Sequence, residues 1–188
     1  MALKSTIFKA ALQIADMDRN YYRDHALTIA RHPSETDERM MLRVLAFALN
    51  ASDSLSFGKG LSTDDEPDLW QKDLTGAIEL WIDVGQPDDK RIRRACGRAS
   101  QVLVYSYGGQ GAAIWWDQIA SKLDRSRNLT VVSVPAAASQ ALAKLARRNM
   151  QLNCTIQDGQ IWLADAEQRV EVDLAFTKVV PAGGSFRN

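Results

Sequence analysis

One segment, residues 76–87, constrains the fold more than any other stretch of the sequence. Apolar residues alternate along it, which predicts a β-strand with one buried face, formed by Ile78, Leu80, Ile82 and Val84. The opposite face carries Asp83 near the end of the strand. Because burying a carboxylate is costly, we expect a cation or a dense set of hydrogen-bond donors beside Asp83.

A second carboxylate, Asp68, lies just upstream, behind Pro67 on the preceding predicted strand. The two acids are therefore on consecutive strands, and we expect them to converge at one end of the sheet. Divalent-metal phosphodiesterases build their sites from acids brought together in this way. The structural alternative is that Asp68 is a turn acid and Asp83 pairs with a nearby arginine.

The composition limits the class of protein. Lys and Arg together number 23, as do Asp and Glu, so any basic patch for nucleic acid has to be local. Cys96 and Cys154 lack metal-ligand spacing, which favours reduced thiols and a cytoplasmic location. Lys4, Lys9 and Asp16 interrupt the N-terminal segment, so we expect neither a signal peptide nor a membrane span.

The length favours a single domain over residues 1–188. Apolar alternation and turn signals predict strands at residues 5–15, 21–31, 55–60, 66–71, 76–85, 101–107, 129–134, 151–157, 160–164 and 169–175. Helical signals predict helices at residues 34–50, from Pro87 onward, 112–123 and 136–148. Ser34 is expected to cap the first helix, Asp158-Gly159 to form a hairpin turn, and residues 181–188 to fray. The predicted fold class is α/β, with a mixed central sheet flanked by helices and additional N- and C-terminal strands.

From residue 34 to residue 107 the predicted order is helix, three strands, helix, strand, with acids on the second and third strands. This order resembles the core of the PD-(D/E)xK nuclease superfamily. Over nearly the whole chain, including Glu-Pro-Asp-Leu-Trp and Glu-Leu-Trp-Ile-Asp-Val-Gly-Gln-Pro, the sequence resembles the YaeQ family, which looks like a variant of that superfamily. The resemblance implies a nuclease-like fold in which Glu38, Asp68 and Asp83 bind magnesium or manganese. Glu38 has the alternative of a first-turn acid favoured by the helix dipole.

The superfamily's catalytic lysine has no counterpart, because Gly85 stands in its place. Lys90, in the first turn of the next helix, is the first candidate to replace it. Gln86 is the second, since it can orient a water molecule but supplies no charge. Lys59 and Lys72 are less directly connected to the site. The alternative is that nothing replaces the lysine and the site has no catalytic activity.

A basic helix face formed by Arg91, Arg94 and Arg98 suits contacts with backbone phosphates, although an ordinary solvated face has the same pattern. The leading functional hypothesis is a metal-dependent nuclease or phosphodiesterase, with nucleic acid as its partner and catalytic residues Asp68, Asp83, Gln86 and Lys90. The alternative is a catalytically degenerate nuclease fold that binds nucleic acid or protein. The sequence gives no indication of an oligomeric state.

Overall fold

The computed structural model describes residues 4–59 and 65–179. Within these ranges the chain forms a five-stranded sheet and a six-stranded sheet, with helices between them and on the outer face of the larger one. The strands are β1 (Thr6–Asp16), β2 (Tyr21–Arg31), β3 (Leu55–Phe57), β4 (Leu69–Lys72), β5 (Ile78–Val84), β6 (Ala99–Ser106), β7 (Leu129–Ser133), β8 (Asn149–Gln157), β9 (Gln160–Ala164), β10 (Arg169–Val172) and β11 (Ala175–Lys178). The helices are α1 (Asp37–Asn50), α2 (Asp89–Arg98), α3 (Gln110–Ile119), which a 3-10 turn (Ala120–Leu123) extends, and α4 (Ala136–Ala143).

The five-stranded sheet has the order β10-β9-β8-β1-β2. Strand β1 pairs antiparallel with β2 and parallel with β8, which places Leu12 opposite Leu152. Asp158 and Gly159 join β8 to β9 with φ angles of 51° and 77°, the positive values that a tight hairpin turn requires. The predicted turn is confirmed, and the predicted additional N- and C-terminal strands form a sheet of their own.

The six-stranded sheet has the order β11-β7-β6-β5-β4-β3, with parallel pairing among β5, β6 and β7. Along β5, Leu80 and Ile82 enter the core between the sheets, whereas Trp81 enters the core under α2 and α3. The predicted alternation is confirmed for Leu80, Ile82 and Val84. Ile78, predicted on the same face, packs instead against the core under α2 and α3, and both faces of β5 are buried rather than one. The predicted strand at residues 169–175 is instead two strands, because the chain leaves one sheet after Val172 and joins the other at Ala175.

Helix α1 lies between the two sheets and beside α4, and every residue from Met40 to Leu49 is buried. A helix that packs on one sheet buries a single stripe, so this all-round burial reflects contact on several sides. Thr36 caps the helix, since its side chain accepts a hydrogen bond from the backbone N–H of Arg39 at 3.1 Å. The predicted cap, Ser34, instead bonds to the ring of His32.

Two further helix boundaries differ from the sequence prediction. Helix α2 begins at Asp89 rather than Pro87, because the side chain of Asp88 provides the N-terminal cap. Helix α4 ends at Ala143, well before residue 148, since the chain is already entering β8 at Asn149.

No helix in the described part of the chain is long and apolar enough to cross a membrane. Residues 181–188, predicted to fray, lie outside the described residues.

The position of α1 predicts a large effect of truncating one of its core side chains. Leu42, fully buried between the sheets, should lose roughly 3–5 kcal/mol of unfolding free energy when replaced by alanine. The matched control is Ile114→Ala on α3, where the side chain is half exposed and the expected loss is under about 0.5 kcal/mol. Urea denaturation measures both, and equal losses would contradict the placement of α1.

Candidate functional site

Asp68 and Asp83 lie side by side at one end of the six-stranded sheet. Leu69 at the start of β4 pairs antiparallel with Ile82 on β5. Asp68, the residue before Leu69, therefore lies next to Asp83, the residue after Ile82. Both side chains are buried, with 5% of Asp68 and 2% of Asp83 exposed. The structure thus brings together the two acids that the sequence singled out, in an environment where each needs compensation.

Asp68 receives that compensation from Arg39 on α1. Nη2 of Arg39 lies 2.9 Å from each carboxylate oxygen, and the backbone N–H of Val84 donates to Oδ2 at 2.7 Å. Arg39 also donates to the carbonyl oxygen of Val84 at 3.1 Å and to Oε1 of Glu35 at 2.9 Å. Burial raises the pKa of Asp68 above its ordinary value of 3.8; the Arg39 cation opposes the rise and the charge of Asp83 adds to it.

Asp83 is held by Arg91 on α2. Nε and Nη2 of Arg91 donate to the two oxygens of Asp83 at 2.9 Å each, in the forked geometry of a bidentate pair. Nη2 also donates to the carbonyl oxygen of Glu66 at 2.9 Å. The Asp88 cap accepts a hydrogen bond from the backbone N–H of Arg91 at 2.7 Å, so the start of α2 positions this arginine.

Glu38 faces α4 rather than joining the two aspartates as a ligand. Oγ of Ser139, a fully buried residue of α4, donates to Oε1 of Glu38 at 2.5 Å. Within residues 4–59 and 65–179, no group of three His, Cys, Asp or Glu side chains is arranged to hold a metal ion. The structure therefore does not assemble the predicted three-carboxylate set.

The arrangement of donors also disfavours a resident magnesium ion. The oxygens of Asp68 and Asp83 accept hydrogen bonds from Arg39, Arg91 and the N–H of Val84. Magnesium binds to carboxylate oxygens that can face it and retains several water molecules, whereas here two guanidinium cations occupy that position. The residues present do not fit the ion that the family resemblance implies.

The two candidates to replace the missing lysine have different surroundings. Gln86 Nε2 donates to the carbonyl oxygen of Tyr107 at 3.0 Å. It packs over Gly108, which has a φ of 106° and whose added Cβ would lie 3.3 Å from that nitrogen. Lys90 is exposed in the first turn of α2, and it is the adjacent Arg91 whose side chain contacts Asp83.

The predicted basic face of α2 is divided between structural and solvent-facing residues. Arg91 turns toward Asp83, and Arg98 donates to the carbonyl oxygen of Asp65 at 3.0 Å while lying 5.3 Å from the ring centroid of Trp81. Arg94 is exposed to solvent.

Sequence reasoning missed Glu35, Arg39 and Arg43, which form a network of ion pairs with Asp68. Arg43 donates to both oxygens of Glu35 at 2.8 and 2.7 Å, and Glu35 also accepts from Arg39. The signal was the spacing of Glu35, Arg39 and Arg43, which lie four residues apart and share a side of the chain. Tyr107 lies near these residues, and burial raises its pKa. The charge of Arg39 opposes this rise, whereas the charge of Glu38 adds to it.

We expect Arg39→Met to destabilise the protein by roughly 3–5 kcal/mol near neutral pH, because the buried Asp68 carboxylate loses its cation. The pKa of Asp68 is already raised in the folded protein, and removing Arg39 raises it further. At pH values between the unfolded and the folded pKa of Asp68, the folded state binds a proton that the unfolded state does not. The free energy of unfolding therefore falls as pH rises through this range. The loss of unfolding free energy in Arg39→Met should therefore become smaller as pH decreases from about 8 to about 5, as measured by urea unfolding.

Two controls separate this effect from a loss of packing. Adding Asp68→Asn to Arg39→Met should restore part of the stability and remove the pH dependence, whereas Arg94→Met, at an exposed position, should change little. If Arg39→Met lost the same unfolding free energy at every pH in this range, the loss would not come from an unpaired charge on Asp68.

Comparison with known proteins identifies the family. A model of the family described as YaeQ protein matches residues 1–174. The YaeQ proteins of Salmonella typhi and Escherichia coli (strain K12) are 48% and 47% identical to this chain over 174 residues, which is 93% of this chain and 96% of each relative. The crystal structure of YaeQ from Xanthomonas axonopodis pv. citri matches with a TM-score of 0.89 and 49% identity, covering 93% of this chain and 98% of that one. The crystal structure of YaeQ from Pseudomonas syringae matches with a TM-score of 0.89 and 35% identity, covering 93% of this chain and 97% of that one. The mixed α/β fold is thus shared, and the chain belongs to the YaeQ family.

Proposed function

We propose that this chain is a nucleic-acid-binding module without phosphodiesterase activity, built on a fold that resembles the PD-(D/E)xK nucleases. The observation that supports the loss of catalysis is the pairing of both candidate metal ligands with arginines, Asp68 with Arg39 and Asp83 with Arg91. In the superfamily, such acids are kept free for a metal ion. Here they join α1 and α2 to the end of the sheet.

The energies of these pairs support the same conclusion. Removing the cation from a buried carboxylate costs roughly 3–5 kcal/mol when nothing replaces it, so an ion that displaced an arginine would first have to offset that cost. The side chains of Arg39 and Arg91 are 14% and 25% exposed, so water compensates little for a broken pair. An ion would have to displace both cations or share the site with them.

The exposed side of α2 supports contact with phosphate groups. Lys90 and Arg94 lie four residues apart on this helix and are both exposed. Arg93, also exposed, pairs with Asp89, and Lys122 lies 3.6 Å from the same carboxylate. Because phosphate contacts position a protein on nucleic acid without reading its sequence, this stripe favours binding to the backbone.

The proposal predicts salt-dependent binding that uses Lys90 and Arg94. Fluorescence anisotropy with labelled duplex DNA and single-stranded RNA should show affinity that falls as salt is raised. Lys90→Gln combined with Arg94→Gln should lower the slope of log K against log salt by about 1.4–1.8, depending on whether the strand is single or paired. The two arms distinguish duplex DNA from single-stranded RNA as the preferred source of phosphates.

The matched control is Lys4→Gln combined with Lys9→Gln, which removes the same charge from exposed positions before and within β1. An equal loss in the control would indicate a general charge effect. No binding to either nucleic acid would contradict the proposal and favour a module that binds protein.

A magnesium- or manganese-dependent nuclease is the second candidate, and the neighbouring positions of Asp68 and Asp83 favour it. In this case a cleavage assay on mixed nucleic acids should show metal-dependent products that Asp83→Ala abolishes. Magnesium at about ten times its dissociation constant should then raise the melting temperature by about 3–6 °C, and Asp68→Ala should remove the shift. Our proposal expects neither cleavage nor a shift that depends on Asp68.

A further inference from the structure

A half-buried tryptophan lies beside α2 on the outer face of the six-stranded sheet. Trp70 on β4 is directly opposite Trp81 on β5, and their ring centroids are 6.3 Å apart with an angle of 84° between the ring planes. Trp81 is 1% exposed because it belongs to the core under α2 and α3, whereas Trp70 is only half-buried. The helices therefore cover this face of the sheet at β5 and leave it partly open at β4.

A row of cations on α2 reaches this pair of tryptophans. Lys90, Arg94 and Arg98, the basic stripe of α2, are all exposed and lie four residues apart, so they follow one side of the helix over about 12 Å. The guanidinium carbon of Arg98 lies 5.3 Å from the ring centroid of Trp81. The positive charges therefore lead to the place where the face of the sheet opens.

Lys72 adds a further cation at this open place. Its Nζ lies 3.7 Å from the ring centroid of Trp70, and the side chain is exposed. An exposed cation–π contact of this kind is weaker than the stacking of a nucleobase on the same ring. A base can therefore displace the ammonium group, which is then available to a neighbouring phosphate.

An aromatic ring next to positive charge is the combination that binds single-stranded nucleic acid. The cations hold the phosphate backbone, and the ring stacks on a base, whose face is accessible when the strand is not paired. The basic stripe by itself makes no such distinction, because phosphates are present in single strands and duplexes alike. Trp70 supplies the group that distinguishes the two.

A second half-buried tryptophan has different surroundings. Trp162 on β9 also has a cation over its ring, since the guanidinium carbon of Arg169 lies 4.6 Å from the ring centroid. It belongs to the other sheet, however, and its partners on the neighbouring strands are Thr155 and Glu171. Because an acid repels a phosphate backbone, Trp162 is not equivalent to Trp70 as a stacking position.

We propose that the nucleic acid bound by this chain is single-stranded, with one base stacked on the indole ring of Trp70 and the phosphates along the basic stripe of α2. This inference rests on the proposed binding of nucleic acid by α2, and it names the form of nucleic acid that the same site selects. Lys72 then contacts the phosphate next to the stacked base. The phosphate contacts depend on salt because they release counter-ions, whereas stacking releases none, so the two contributions are measured separately.

Three DNA probes of equal length test the proposal: an oligothymidylate, the same strand without bases, and the duplex of the oligothymidylate with its complement. Fluorescence anisotropy with the full chain gives a dissociation constant for each. The oligothymidylate should bind about 5–150-fold more tightly than the abasic strand, because only the former offers a base to Trp70. Near physiological salt, where the contribution of phosphate contacts is reduced, it should also bind more tightly than the duplex.

Variants then assign the preference to one residue. Trp70→Leu should bind the oligothymidylate and the abasic strand with equal affinity, while its slope of log K against log salt stays that of the wild type. The matched control is Trp162→Leu, which removes a half-buried tryptophan with a cation over its ring from the other sheet and should keep the wild-type preference. If Trp70→Leu fails to fold, Trp70→Phe retains a smaller aromatic ring and should show a preference reduced from that of the wild type.

The results that would overturn this inference differ from those that would overturn the proposed function. An absence of binding to all three probes would contradict both. Binding that depends on Lys90 and Arg94 but is equal for the oligothymidylate and the abasic strand, or tighter for the duplex, would overturn the inference and leave the proposed function standing. The same holds if Trp70→Leu, or Trp70→Phe in its place, keeps the full wild-type preference, or if Trp162→Leu loses it.

Discussion

The ion pair between Arg39 and Asp68 is the interaction on which the rest of the architecture depends. It connects the first turn of α1 to the start of β4, and the same guanidinium group donates to the carbonyl oxygen of Val84 at the end of β5. A helix buried on all sides has few polar contacts that fix its position along its own axis. Arg39 provides such a contact, because its donors meet acceptors on two strands of the sheet at once.

The two acid–arginine pairs give the same end of the sheet a different chemical character from a metal site. A carboxylate on a buried strand needs a positive partner, and either a metal ion or a guanidinium group can provide it. In this chain the helices on both faces provide the partner, Arg39 from α1 and Arg91 from α2. Selection for structure is therefore sufficient to keep both acids, even without turnover.

The sequence predicted most of the elements but not how the sheets are divided. Local patterns, which operate over a few residues, account for the bounds of β2 and β9, the alternation from Leu80 to Val84 on β5 and the turn at Asp158-Gly159. The separate five-stranded sheet depends on pairing between β1 and β8, which no local pattern reveals. The acids were found because carboxylates are rare on apolar strands. Their arginine partners were not assigned, since arginines on a helix are common and their direction depends on tertiary packing.

The parallel pairing of β1 with β8 has a consequence for the order in which the chain acquires its structure during synthesis. Strands β1 and β2 and helix α1 leave the ribosome early, yet the sheet that covers α1 is completed only when β8, β9 and β10 arrive. Until then, one side of an apolar helix remains open to solvent or to other proteins. Contacts between distant parts of a chain form slowly, so this interval is when the nascent protein is most exposed to aggregation and most dependent on chaperones.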